Sequence, residues 1–364
     1  METARIHNTG FTLVELLVSI GVLSLILVML AELTSQTRRV ATQVTKRVET
    51  MRETRTAMEA MARRISQATL NSYWGYNNPS SPSTWMRQSE LHFTTVWSDE
   101  MLTTNTEPAT GHGVFFQAPF GYAGSEADSN GDDRLDYLDG LLNGWGYYIE
   151  FNSDLPDRTP FLRQQQILYP ERKRFRLMEL RIPSEELTVM TPPASDPNGL
   201  PVIAQKTNAK DINDWFADPA IRKKYARPIS ENVLALIISP VKPDKSTPGG
   251  NTSLAPNYKY DSRLFQYNGA TSRAKTSRHQ LPELLNITLI ATDEGTWITY
   301  EDRHKEKSAK RILKELNSRF QDATNYEKDL KELNQWLLEE QLEPRVFRLS
   351  VPLRGAKFST NFDV

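Results

Sequence analysis

The feature that most constrains the fold is an apolar run at 11–33, near the start of the sequence. Between Phe11 and Ala31 this run contains one charged residue, Glu15. Because an α-helix rises about 1.5 Å per residue, roughly 21 such residues reach across the ~30 Å hydrocarbon core of a bilayer. The run therefore predicts a transmembrane helix at 11–33.

Glu15 is the exception within the run. An isolated carboxylate on a helix in lipid costs on the order of several kcal/mol unless a partner neutralises it. The amphipathic and β-rich segments that follow should lie beyond the membrane, so no internal partner for Glu15 is evident. We therefore expect either a partner from another subunit or a helix that is not exposed to lipid.

The residues around Glu15 resemble the type IV prepilin and pseudopilin signal, in which a short polar leader ends in Gly and a Phe opens the apolar helix. Every position of that pattern is filled, by Gly10, Phe11, Thr12, Leu13, Val14 and Glu15. Two alternatives stay open, namely a signal anchor that happens to contain Glu and a cleaved secretory signal. A secretory signal has a shorter apolar core, followed by small residues at its cleavage site.

The resemblance implies a leader at 1–10, a prepilin peptidase that cleaves between Gly10 and Phe11, and methylation of the new Phe11 amine. It also implies assembly with other pilin-like subunits into a type II secretion or type IV pilus-like filament. The carboxylate of Glu15 would then be neutralised in lipid by the α-amine of a neighbouring Phe11, because charges inside a membrane are tolerated mainly when paired.

The basic residues around the helix do not decide its orientation. The leader contains Arg5, whereas the helix is followed by Arg38, Arg39, Lys46 and Arg47. Read literally, the positive-inside rule places the residues after the helix in the cytoplasm or leaves the orientation undecided. Long downstream domains, however, translocate largely regardless of charge. The resemblance implies a cytoplasmic leader, so we expect a single-pass protein of the inner membrane with its globular domain on the periplasmic side.

Composition narrows the possible partners. The 364 residues include 44 Lys and Arg against 45 Asp and Glu, which gives a net charge of -1. The chain as a whole therefore has no excess of positive charge that would indicate nucleic acid as a partner. The chain has no Cys, which suits a cytosolic protein as well as an exported domain without disulfides.

Residues 34–70 indicate an amphipathic helical stem that continues the membrane helix. Apolar residues recur there mostly at three- and four-residue steps, and they are Val40, Val44, Val48, Met51, Met58, Met61, Ile65 and Ala68. Neither Gly nor Pro interrupts 31–70, so we expect one continuous helix from 11 to 70. Its apolar stripe should pack on the downstream domain.

The remaining residues, 71–364, predict a globular domain rich in β-strands. Aromatic and β-branched segments, several of them alternating with polar residues, indicate strands at 90–96, 113–117, 146–151, 174–182, 233–241, 282–291 and 345–352. Residues 301–342 instead have helical periodicity with a break near Thr324 and Asn325, which predicts two inserted helices. A long helix followed by mostly antiparallel strands is an α+β fold, because strands and helices do not alternate regularly.

Turns and long connections separate these elements. Turn-forming residues at 71–83 predict an irregular exit from the stem. Irregular loops are expected at 121–140, 191–202 and 242–280. Loops of such length are uncommon in compact domains.

Three later segments carry a second resemblance. Residues 230–236, 281–289 and 351–354 are similar to the late core strands of J-type minor pseudopilins of type II secretion. More closely, the chain resembles the Verru_Chthon cassette protein C family, pilin-like proteins with a long globular domain. The resemblance implies a structural role as a minor pilin or pseudopilin.

The best candidate for a metal site is the acidic loop at 128–139. Its oxygen-bearing residues have the spacing of an EF-hand-like calcium loop, with side chains from Asp128, Asn130, Asp132, Asp136 and Asp139 and a backbone carbonyl from Arg134. The loop departs from the pattern at Asp133, where Gly is usual, and at Asp139, which is shorter than the usual Glu. A solvated turn rich in Asp and Asn is the competing interpretation.

Enzyme motifs are sparse. The five His residues form no His-Glu-x-x-His run, and the sequence has neither a Gly-x-Ser-x-Gly elbow nor a phosphate-binding loop. We therefore expect a structural subunit and not an enzyme. The alternative is a membrane-anchored exported enzyme or ligand-binding protein, which would need a pocket lined by convergent polar groups.

Overall fold

The computed structural model describes residues 12–76, 83, 85–101, 108–123, 140–187, 216–243, 251–263 and 278–357. The chain divides into two compact units, Met1–Glu49 and Thr50–Val364. Most of the long N-terminal helix belongs to the first unit. The second unit contains the last turns of that helix and all the described strands.

The long helix, α1, spans Leu13–Ile65 without interruption. It contains no Pro, so every residue can contribute to the helical hydrogen-bond ladder. It ends before the expected boundary at 70 because the following backbone bonds to other segments of the domain. The Arg354 N–H donates to the Ser66 carbonyl over 2.9 Å, and the Thr69 N–H donates to the Gln117 carbonyl over 2.9 Å.

The described strands all lie in the second unit. In chain order they are β1 (Tyr73–Tyr76), β2 (Trp85–Gln88), β3 (Thr94–Trp97), β4 (Ala109–Pro119), β5 (Leu142–Ser153), β6 (Lys173–Ile182), β7 (Ala226–Glu231), β8 (Val233–Pro243), β9 (Asn251–Ser253), β10 (Tyr260–Asp261), β11 (Leu284–Ala291) and β12 (Arg345–Pro352). The shorter helices are α2 (Ser98–Met101), α3 (Pro160–Gln164), α4 (Pro219–Tyr225), α5 (Glu294–His304), α6 (Ser308–Asn317) and α7 (Tyr326–Glu339).

These strands form three antiparallel sheets within the described residues. One sheet pairs β1 with β2, a larger sheet has the order β10-β3-β4-β5-β6-β7, and the third has the order β12-β11-β8-β9. The α+β fold class predicted from the sequence is confirmed.

The two larger sheets share one buried apolar core, and they are joined at the start of β4. The Ile238 N–H of β8 donates to Nδ1 of the buried His112 of β4 over 2.9 Å. The neighbouring Gly111 has a φ of 62°, and a Cβ at this position would lie 2.5 Å from the Leu236 carbonyl oxygen. Only Gly allows both this backbone conformation and this approach of the two sheets.

The last turns of α1 supply one side of the core. Their buried apolar side chains are Ala57, Met58, Met61, Ala62 and Ile65. The earlier members of the predicted stripe, Val40, Val44 and Val48, are exposed. The predicted packing of the stripe therefore holds for the part of the helix that belongs to the second unit.

A buried carboxylate on β6 fastens the end of α1. Arg64 pairs with Glu179, whose side chain is only 3% exposed, and its guanidinium lies 4.6 Å from the ring centroid of Trp145. Tyr147 Oη and Trp145 Nε1 also donate to Glu179, over 2.6 and 3.0 Å. The guanidinium of Arg181 pairs with the other carboxylate oxygen.

Some elements differ from the sequence prediction. The helical insertion begins at Glu294 instead of 301, because Asp293 caps α5 by accepting the Thr296 N–H over 3.1 Å. Three helices, α5 to α7, replace the predicted two, while a 3-10 turn lies at the predicted break near Thr324. Two of the expected irregular segments contribute strands, since β1 follows α1 and both β9 and β10 lie in 242–280. The expected loop at 191–202 and residues 124–139 of the expected loop at 121–140 lie outside the described residues.

Candidate processing and assembly site

Glu15 lies in the first turn of α1 and forms a capping box with Thr12. The backbone N–H and the hydroxyl of Thr12 both donate to Glu15 Oε2, each over 2.9 Å, and the Glu15 N–H donates back to Thr12 Oγ1 over 3.3 Å. This exchange satisfies N–H groups that have no partner within the helix and places a carboxylate at the positive end of the helix dipole. Glu15 therefore has a hydrogen-bond partner within its own helix, although Thr12 is neutral and does not neutralise the charge.

Thr12 leaves part of the carboxylate available. Both of its bonds reach Oε2, and no residue within the described ranges donates a hydrogen bond to Glu15 Oε1. The side chain is exposed, as are those of Leu13 and Leu16 beside it. A cation can therefore approach Oε1 without displacing Thr12.

The helix surface that follows Glu15 is apolar and exposed. Leu17 is 66% exposed, Leu23 57% and Leu30 57%. The segment Leu13–Thr42 contains a stretch with a mean hydropathy of 2.7, none of it buried. By length and composition, it can cross a membrane.

The hydroxyl groups along this surface are satisfied by the helix itself. Ser19 Oγ donates to the Glu15 carbonyl over 2.7 Å, and Ser24 Oγ donates to the Gly21 carbonyl over 2.8 Å. Thr34 Oγ1 likewise donates to the Leu30 carbonyl over 2.7 Å. Because hydrocarbon offers no hydrogen-bond partners, such local bonds lower the cost of placing these residues in lipid.

The other predicted site residues lie outside the described residues. These are Gly10 and Phe11 of the processing site and Asp128, Asn130, Asp132, Arg134, Asp136 and Asp139 of the calcium loop. Cleavage and calcium binding therefore stay predictions. Elsewhere, in the part of the chain that the structure describes, no group of three or more His, Asp or Glu side chains is placed to hold a metal ion.

A cluster of buried charge joins β6 to α5. The buried Arg174 pairs with Glu294 over 2.8 Å and with Glu301 over 2.9 Å. Burial by itself would raise the pKa of Glu294, but hydrogen bonds from Arg174 and Asn232 hold that pKa below its ordinary value. Since the lowered pKa keeps Glu294 ionised and Arg174 pairs with it, the cluster fits a structural link better than acid-base chemistry.

Thr12 is the partner that the sequence interpretation missed. Its signal is nevertheless present in the sequence, because Thr-x-x-Glu ahead of an apolar run is the signature of a capping box. The sequence analysis looked for an internal partner only in the segments that follow the membrane helix. The hydrogen bonds with Thr12 lie within one helical turn, between two residues three positions apart, and they leave the charge of Glu15 without a counter-ion.

The prokaryotic N-terminal methylation motif matches residues 5–31. The match includes Gly10, Phe11 and Glu15, and it supports a pilin-like protein that a prepilin peptidase processes. The motif implies assembly with other pilin subunits, and together with the apolar helix it indicates a membrane-anchored protein. No curated protein and no solved structure matches the chain at a significant level.

Proposed function

We propose that the protein is a structural minor pilin or pseudopilin with no enzymatic activity of its own. A prepilin peptidase cuts the inner-membrane precursor after Gly10 and methylates Phe11, and the globular domain lies on the periplasmic side. The mature subunit joins a type II secretion or type IV pilus-like filament through α1. The observation that carries this proposal is the capping box of Thr12 and Glu15 at the head of an exposed apolar helix.

The capping box prepares Glu15 for a partner from another subunit. Thr12 holds Oε2, which restricts the carboxylate to one side of the first turn. The α-amine of a neighbouring Phe11 then pairs with Oε1 and neutralises the charge, which would otherwise be costly in lipid. This pair sets the axial register between adjacent subunits.

The finer assignment is to the J-type minor pseudopilins, with the Verru_Chthon cassette protein C family as the nearer resemblance. Its support comes from the late segments 230–236, 281–289 and 351–354. Parts of these segments form β8, β11 and the end of β12, which are neighbours in one sheet. This arrangement agrees with the resemblance to late core strands of a pilin-like domain.

Substitution of Glu15 tests the assembly role. The variant Glu15→Leu should insert in the membrane as the native chain does but should not enter filaments, because it cannot bind the neighbouring amine. The matched control is Glu32→Leu, which removes another exposed carboxylate of α1. Membrane fractionation and the amount of protein in purified filaments give the two readouts. Normal filament incorporation of Glu15→Leu would refute the pairing.

Substitution of Gly10 tests processing separately. Gly10→Val should leave an uncut precursor, whereas Gly21→Val should be cut normally, because Gly21 lies within α1 and nothing in the described residues outside its own turn comes within 4 Å of an added Cβ. Intact-mass spectrometry of the membrane fraction distinguishes the two lengths. A mature-length product from Gly10→Val would contradict cleavage at this bond.

A further inference from the structure

The loop between β5 and β6 exposes four large apolar side chains. Phe161 is 68% exposed, Ile167 100%, Leu168 71% and Tyr169 52%. We call these four residues the apolar tip. Exposing so many large side chains in one loop is unfavourable in water, and such a surface indicates contact with an apolar medium or partner.

A polar frame holds the main chain beneath the apolar tip. The buried Asp154 accepts from Arg158 Nη2 over 2.6 Å and from the Arg172 N–H over 3.0 Å. Arg158 also donates to the carbonyls of Tyr169 and Pro170, over 2.5 and 2.6 Å. These hydrogen bonds connect the start of the loop, at Asp154 and Arg158, to its end at 169–172. The main chain beneath the apolar tip is therefore held in place.

Cationic side chains flank the apolar tip. Arg163 and Lys173 are exposed, and among the described residues neither forms an ion pair with a carboxylate, although Arg163 donates to the carbonyls of Pro156 and Arg158. Two exposed carboxylates, Asp157 and Glu171, lie in the same stretch, and Asp157 is paired with the buried Arg176 over 2.7 Å. The surface around the tip therefore combines apolar side chains with a small excess of positive charge.

We propose that the apolar tip binds the surface of a bilayer that contains anionic phospholipid. Phe161, Ile167 and Leu168 enter the boundary between headgroups and acyl chains, while the flanking cations meet lipid phosphates. Tyr169 suits the same boundary, because its ring is apolar and its hydroxyl polar.

Two observations favour lipid over a protein partner. The tip consists of side chains projecting from one loop with a cationic rim, which matches an anionic surface in charge. The chain also carries an apolar helix long enough to span a membrane, which keeps bilayer at a high effective concentration around the domain. The proposal needs the membrane anchor and does not depend on filament assembly.

The absence of Cys makes a site-specific test possible. The full-length variant Ile167→Cys is labelled with an environment-sensitive fluorophore and reconstituted in vesicles of phosphatidylethanolamine and phosphatidylglycerol. We expect a blue-shifted emission and quenching by nitroxide-labelled lipid at least about twofold stronger than at the exposed control Glu306→Cys. Phe161→Cys, on the other side of the loop, should behave like Ile167→Cys.

A second experiment changes the charge of the cationic side chains that flank the apolar tip. Adding Lys173→Glu to the labelled chain should lower the ratio of lipid-bound to free label by about fivefold or more, as should vesicles of phosphatidylcholine. A label at 167 that aqueous iodide quenches as strongly as the label at 306 would overturn the proposal. Protection from iodide without quenching by lipid nitroxide would identify a protein contact and would overturn it too.

Discussion

Glu15 Oε2 accepts hydrogen bonds from both the backbone N–H and the hydroxyl of Thr12, each over 2.9 Å. The pair starts α1 and at the same time orients the acidic group of the membrane segment. The start of the helix and the orientation of the Glu15 carboxylate therefore depend on the same pair of residues. The position of Glu15, three residues after Thr12, follows from the geometry of a helix N-terminus.

Replacing Thr12 should loosen the start of α1. Thr12→Val keeps the shape of the side chain but removes the hydroxyl that caps the helix, which costs about 1 kcal/mol. Thr12→Ser keeps the hydroxyl and is the matched control. Amide hydrogen exchange of the full-length protein in lipid should be faster at 13–16 in Thr12→Val and unchanged in Thr12→Ser. Equal protection in both variants would contradict the capping role.

Removing Arg64 should destabilise the second unit. Arg64→Met leaves the buried Glu179 with Arg181 as its remaining charged partner, and we expect a loss of about 1–3 kcal/mol in the free energy of unfolding. Arg63→Met removes the neighbouring exposed charge and should change stability by less than about 0.5 kcal/mol. Urea unfolding of the full-length protein in detergent measures both. Equal losses would show that the ion pair is not the cause.

Adding a methyl group at Gly111 should disrupt the junction of the two larger sheets. In Gly111→Ala the new Cβ would lie 2.5 Å from the Leu236 carbonyl oxygen, on a backbone with a φ of 62°. We expect a loss of about 2 kcal/mol or more in the free energy of unfolding. Gly140→Ala is the control, because none of the described residues lies within 4 Å of its Cβ position. Thermal unfolding should separate the two variants, and a native melting temperature for Gly111→Ala would contradict the described contact.

The buried His112 should make stability depend on pH. Burial lowers its pKa to about 3, whereas an unfolded His titrates near about 6.5. Between these values the unfolded state binds more protons than the folded state, so stability falls as pH falls, by about 1.4 kcal/mol per pH unit for one such His. This loss begins near the unfolded pKa and is complete once the folded group also titrates.

His112→Asn provides the measurement. The Asn side chain can still offer an oxygen to the Ile238 N–H, but it does not titrate. The slope of unfolding free energy against pH, taken between about pH 4 and pH 6, should be smaller than in the native chain by about 1.4 kcal/mol per unit. His92, whose pKa burial also lowers to about 3, keeps part of the slope in both proteins. An unchanged slope would show that His112 does not titrate as described.

Local patterns predicted the regular elements well. The alternation at 345–352 predicted β12, and the apolar segment at 174–182 predicted most of β6. The turn residues at 71–83 predict a loop, yet Tyr73–Tyr76 pairs with a strand that follows. Strand pairing depends on a partner elsewhere in the chain, which a local pattern does not reveal.

The sequence by itself determined the membrane-length apolar helix, and it contains the Thr-x-x-Glu signature of the Thr12 and Glu15 pair, although the sequence interpretation missed that pair. Both depend on residues within a few turns of one helix. Only the tertiary structure decided where α1 ends, that Glu179 receives Arg64, and that Gly111 lies against Leu236. It also decided that Ile167 and Leu168 are exposed on the domain surface, although both are apolar residues typical of a core. Whether a side chain is buried, and which residue it pairs with, depends on segments that are distant in sequence. The local sequence around a residue therefore does not specify either property.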